Sequence, residues 1–125
     1  MNILVDGHNL LHLIPSLKRK MHDNHSAVKE ELVALLLSIF RKRNDEITIF
    51  FDNQKAVNNL RQNYRGIHIA YAPPGKTADD LIVAETEKLT KSNSAAIVYT
   101  NDRGLKQEFH SNISMLNPTR IWQEI

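Results

Sequence analysis

The chain opens Met1-Asn2-Ile3-Leu4-Val5-Asp6-Gly7-His8-Asn9-Leu10. Three aliphatic residues in a row, Ile3 to Val5, read as a short buried strand, and strands buried on both faces belong to parallel sheets. The run ends in Asp6, Gly7 and Asn9, the residue types of turns and helix starts. The pattern recurs along the chain. Ile47-Thr48-Ile49-Phe50-Phe51 runs into Asp52, and Ala95-Ala96-Ile97-Val98-Tyr99-Thr100 runs into Asn101-Asp102. Two more strands are expected, Ile67 to Tyr71 after Gly66 and Ile113 to Leu116.

Helical patterns separate these strands. His8 to Lys20 reads as partly helical, with Pro15 interrupting it or starting a new turn. Ser26 suits the cap of a long helix reaching about Arg43, with Val28, Leu32, Leu35, Leu36, Ile39 and Phe40 at helical spacing. Residues 53–66 are polar and read as a loop or weak helix. After the stiff turn Pro73-Pro74-Gly75-Lys76, Thr77 suits the cap of a helix to about Lys91. Asp102 suits the cap of a short helix to about His110. Strands alternating with helices indicate an α/β fold, a parallel sheet covered on both faces.

The bulk numbers describe a small globular chain. At 125 residues it is one domain by length, and large enough to bury about two thirds of its unfolded surface. No apolar run approaches the roughly 20 residues that cross a bilayer, and no signal peptide is apparent, so the expected location is the cytoplasm. There is no cysteine, hence no disulfide and no thiolate metal site. A net charge of +2 does not by itself argue for nucleic acid.

Asp6, Asp52 and Asp102 share one property: each sits at the carboxyl end of a strand, where parallel sheets bind ligands. Asp79-Asp80 adds two acids at a helix start. Converging carboxylates repel unless a cation lies among them. The pattern points to a hard divalent metal and to a phosphate substrate held by it.

Asp6-Gly7-His8-Asn9, Phe51-Asp52, Thr77-Ala78-Asp79-Asp80 and Thr100-Asn101-Asp102-Arg103 resemble the motifs of NYN domains, which are PIN-like ribonucleases, and in particular their YacP-like branch. The resemblance runs from residue 3 to about residue 118. It implies a three-layer PIN-like fold whose five parallel strands take the order 3-2-1-4-5, so that Asp6 and Asp102 face each other across a cleft. It further implies a Mg²⁺- or Mn²⁺-dependent endoribonuclease acting on single-stranded or unpaired RNA. RNA is the implied partner, with the ribosome or RNA-degradation machinery left open. One departure from the family stands at Lys106, where some relatives carry a further acid.

The expected metal ligands are Asp6, Asp79, Asp80 and Asp102, and Asn9 joins them in the catalytic set by orienting a water or holding Asp6. Asp79 and Asp80 lie about 100° apart on their helix. Asp79 flanks the apolar stripe Ala78, Leu81, Ile82 and Leu89, so it is the inward ligand and Asp80 the helper. Gly7 lets the backbone approach closely. Lys76, Thr100, Asn101, Arg103 and Lys106 are the expected substrate-binding residues, with Arg61 and Arg65 extending the basic rim. Bland readings stand beside these. Asp6, Asp52 and Asp102 all suit turns or caps, the Asp79-Asp80 pair suits a helix N-terminus, and Tyr71 suits the core edge as well as a base stack. Glu85 reads as a rim residue. Lys18-Arg19-Lys20 and Arg41-Lys42-Arg43 are explained by helix ends. The alternative function is an RNA-binding module of the same fold that cuts little or nothing. A small-ester phosphatase of the haloacid-dehalogenase type needs an aspartate where His8 stands.

Overall fold

The computed structural model describes residues 1–21, 23–40, 44–55 and 57–124. Strand β1 (Asn2–Asp6) is buried from Ile3 to Asp6. Helices α1 (Gly7–His12) and α2 (Pro15–Lys20) follow. Pro15 opens α2, where its fixed φ suits the helix and its missing N–H is no loss. Helix α3 (His25–Phe40) buries Val28, Leu32, Val33, Leu36, Ile39 and Phe40. Its cap is Asn24 rather than Ser26, because Asn24 Oδ1 accepts from the Ala27 amide at 3.1 Å. Asn and Ser cap equally well, so the local pattern did not separate them. The expected end near Arg43 and the run Arg41-Lys42-Arg43 lie outside the described residues.

Strand β2 (Glu46–Phe51) comes next, and then a departure from expectation. The polar stretch 53–66 contains a strand, β3 (Arg61–Tyr64), turned back onto β4 (Ile67–Tyr71). Arg65 and Gly66 make the turn with φ of 55° and 91°. β3 is an edge strand, so it needs no apolar alternation, and its antiparallel ladder to β4 holds it. Helix α4 (Ala78–Lys91) begins at the expected cap, Thr77. Strand β5 (Ala96–Tyr99) leads into a 3₁₀ helix, Arg103–Glu108, capped by Asp102. Strand β6 (Ile113–Leu116) and a 3₁₀ helix, Pro118–Glu124, complete the described chain.

The strands form one sheet in the order β3-β4-β2-β1-β5-β6. All pairings are parallel except β3 with β4. Without β3, this is the five-strand order implied by the family resemblance. α1, α2 and α3 cover one face, with Leu32 and Leu36 of α3 in one cluster with Ile3, Val5 and Ile49. α4 covers the other, with its Ile82 in one cluster with Leu4, Phe50, Ala70 and Val98. Side chains such as Leu32 and Leu36, fully buried, each stabilise the fold by roughly 1.5–3 kcal/mol. Among the described residues no helix is long and apolar enough to cross a membrane. β1 lies between β2 and β5, with Asp6 opposite Phe50 and Val5 opposite Tyr99. That register brings the carboxyl ends of three strands together.

Candidate active site

Asp6 ends β1 and caps α1, and is 4% exposed. Its Oδ1 accepts from the Asn9 amide at 3.2 Å, and its Oδ2 from Asn9 Nδ2 at 2.9 Å and Thr100 Oγ1 at 3.3 Å. Asn9 Oδ1 accepts in turn from the Asn101 amide at 2.8 Å. The Thr100 hydroxyl accepts from the Asp102 amide at 3.2 Å. The corner after β1 and the corner after β5 are thereby keyed to one another. Burial pushes the Asp6 carboxyl above its usual range, against the pull of the Asn9 amide, His8 and Thr100. The cap reading of Asp6 and the cleft reading describe the same geometry.

The start of α4 supplies the opposite wall. Thr77 and Asp80 form a capping box: Asp80 donates its amide to Thr77 Oγ1 at 3.2 Å, and Asp80 Oδ2 accepts from the Thr77 amide at 2.9 Å. Asp80 is exposed and its carboxylate serves the helix start. Asp79, one residue earlier, is half-buried and turned toward Asp102. Its carboxyl is pushed up to about 7, first by burial, then by a hydrogen bond shared with Asp102, then by the charges of Asp6, Asp102 and Asp52. Asp52 Oδ1 accepts from the Ala78 amide at 2.8 Å, so the end of β2 anchors the first turn of α4. Asp52 Oδ2 lies 3.1 Å from His8 Nε2, close enough for an ion pair, although that nitrogen makes no hydrogen bond. Asp6, His8, Asn9, Asp52, Thr77, Ala78 and Asp79 line a cavity of about 220 Å³.

The other expected residues are placed differently from one another. Thr100 is fully buried, its hydroxyl donating to the Asp6 carboxylate and accepting from the Asp102 backbone amide, so it holds Asp6 and the turn after β5 and has no surface left for a phosphate. Lys76, Asn101, Arg103 and Lys106 are exposed around the cleft-forming turns. Arg65 sits in the turn that precedes β4, at the amino end of the parallel strands and away from the cleft. Arg61 and Glu85 line a separate polar groove with Glu46, His68 and Lys88. Tyr71 is 2% exposed, its hydroxyl 2.9 Å from His25 Nε2 and its ring stacked on Phe51 at 5.4 Å. Burial pushes that hydroxyl up to about 12, and Tyr71 belongs to the core. Sequence reasoning missed the His8–Asp52 and His25–Tyr71 pairs. Each joins residues over forty positions apart, and no local signal carries them.

Among the described residues, no three His, Cys, Asp or Glu side chains are already arranged about a common metal position. The donors nevertheless fit a hard divalent cation. They are carboxylate oxygens, and Asp79 and Asp102 share a hydrogen bond where two ionised groups would repel. A divalent cation held there would relieve that repulsion.

Residues 3–122 match the family of YacP-like NYN domains. The chain belongs to that family. It is a family of PIN-like ribonucleases, and the mostly parallel sheet flanked by helices described above is its fold. The crystal structure of Rae1 (YacP) from Bacillus subtilis matches this NYN domain with a TM-score of 0.73, covering 98% of this chain and 73% of that one at 19% identity. At that identity the likeness is one of fold. No curated protein matches the chain.

Proposed function

We propose that this NYN domain is a Mg²⁺- or Mn²⁺-dependent endoribonuclease hydrolysing phosphodiester bonds in single-stranded or unpaired RNA. The observation that carries the reading is the convergence of Asp6, Asp52 and Asp79 on one cavity, with the Asp79 carboxyl pushed up to about 7 by burial and the neighbouring acids. Family membership supports it.

Asp6, Asp79 and Asp102 are the groups that would hold the cation, from β1, α4 and the turn after β5. Asp80 assists from the capping box by fixing the first turn of α4. The cation's chemistry is neutralisation of charge on the scissile phosphate and activation of a water. The chain's own work is positional. Asn9 and Thr100 lock the Asp6 carboxylate in one orientation. Asp52 sets where α4 begins, and so where Asp79 points. Asn101, Lys76, Arg103 and Lys106 meet the RNA backbone as hydrogen-bond donors and cations. In-line attack by water yields a 5′-phosphate and a 3′-hydroxyl. The ribosome or RNA-degradation machinery is the setting in which such an activity has a substrate.

The test is a panel of end-labelled unpaired RNAs incubated with Mg²⁺, with Mn²⁺ or with chelator. Cleavage confined to the metal-containing reactions, leaving 5′-phosphates, is the expected result. Binding of the RNAs without cleavage under any condition would make the protein an RNA-binding module.

A further inference from the structure

A second cavity of about 340 Å³ adjoins the acidic cleft and is lined by His8, Leu11, His12, Lys18, Met21 and Gln54. His8 lines both cavities and so forms their common wall. His8, Leu11 and His12 fall at i, i+3 and i+4 on α1, hence on one face. α2 adds Lys18, and the segment after β2 adds Gln54. Leu11 is buried and Met21, half-buried, packs against the same core, which makes an apolar surface at the site. Around it stand two imidazole rings, one carboxamide and one ammonium group. Among the described residues, nothing engages the Gln54 side-chain carboxamide, the His12 ring or the Lys18 ammonium.

These groups suit a flat ligand with an apolar face, a hydrogen-bonding edge and an attached anion. A nucleobase on its phosphate backbone has all three features. Met21, with Leu11 beneath it, takes the face of the ring, an imidazole stacks on it, Gln54 reads its edge, and Lys18 meets a phosphate. We propose that this cavity receives the base of a nucleotide adjoining the scissile phosphate of the RNA, and that it sets sequence preference at the cut. The inference rests on the ribonuclease reading above and deepens it. A base enters such a cavity only when it is free of a pairing partner, which supplies a structural reason for acting on unpaired RNA.

The experiment has two arms. In the first, the isotope-labelled protein is titrated with adenosine, guanosine, cytidine and uridine 5′-monophosphates, with ribose 5-phosphate as control. At least one nucleotide should shift the backbone amide resonances of Leu11, Met21 and Gln54, and ribose 5-phosphate should not. Met21→Ala and Gln54→Ala, each checked for an intact amide spectrum, should weaken that binding by about tenfold. In the second arm, RNAs carrying a single abasic nucleotide at successive positions are cleaved. An abasic site beside the cut should raise KM by about tenfold and leave kcat nearly unchanged. The cavity assignment is overturned if no nucleotide shifts those amides, or if KM is the same for every abasic position. RNA that is cut without either effect would leave the ribonuclease reading intact and remove the base site. Nucleotide shifts in a protein that cuts no RNA would do the reverse.

Discussion

Asp79 and Asp80 are neighbours with opposite tasks. One helical step of about 100° separates a carboxylate crowded by three other acids from one that bonds the Thr77 amide. Asp79→Asn is expected to lower single-turnover cleavage about a hundredfold or more, since it removes a charge from the proposed metal site. Asp80→Asn should cost less than about tenfold in rate and lower Tm through the weakened capping box, worth about 1 kcal/mol. The opposite ranking would mean that Asp80 faces the RNA. This difference was legible in the sequence because the apolar stripe of α4 fixes its rotation. Gly7 was legible only in part. Its neighbourhood to Asp6 suggested close approach, but the partner is β2: an added Cβ would stand 2.6 Å from Phe51 Cε1 and 2.9 Å from the Phe50 carbonyl oxygen. Gly7→Ala should therefore destabilise the fold by roughly 1–3 kcal/mol, read from a urea midpoint.

Among elements, the placement of α4 depends on a contact that no periodicity reveals. Asp52 directly follows β2 in sequence, and its Oδ1 accepts from the Ala78 amide, one of the unpaired donors at the start of α4. Asp52→Ala should cost about 1–2 kcal/mol of stability and lower kcat by letting Asp79 shift. Asp52→Asn keeps an oxygen acceptor and should recover most of the stability, which separates anchoring from direct metal binding. If Asp52→Asn loses the cation as fully as Asp79→Asn, measured by calorimetry with Mn²⁺, then Asp52 is itself a ligand. The parallel strands were readable because burial on both faces leaves unbroken aliphatic runs. β3 was not, because Arg61-Gln62-Asn63-Tyr64 owes its strand conformation to β4 and to a left-handed turn at Arg65-Gly66. The α3 cap was displaced for a similar reason, since Asn24 and Ser26 carry equivalent capping chemistry.

For the whole molecule, the sheet order accounts for why acids distant in sequence meet, and their meeting governs how the fold responds to salt and pH. Lys76, Arg103 and Lys106 are exposed near the cleft. If they carry RNA, each change to Ala should reduce the slope of log affinity against log salt by roughly 0.7, with little change in cleavage at saturation. An unchanged slope would move the RNA path to the α2 side, where Lys18 already lines the second cavity. The pH response follows from the carboxyls themselves. Asp79 holds its proton up to about 7 in the folded protein, and Asp6 is shifted in the same direction, whereas an unfolded chain releases such protons near pH 4. Between roughly pH 4 and pH 7 the folded state thus binds more protons than the unfolded one, and stability must fall as pH rises through that window. Below it both states are protonated and the penalty vanishes; above it the penalty is complete. Urea midpoints measured in chelator from pH 4.5 to 7.5 should decline for the native protein, and much less for Asp79→Asn. Mg²⁺ or Mn²⁺, binding the ionised carboxylates of the folded state, should restore most stability at the upper end of the range. A midpoint that rises with pH in chelator would show that these acids are not crowded, and would remove the physical ground for placing a cation among them.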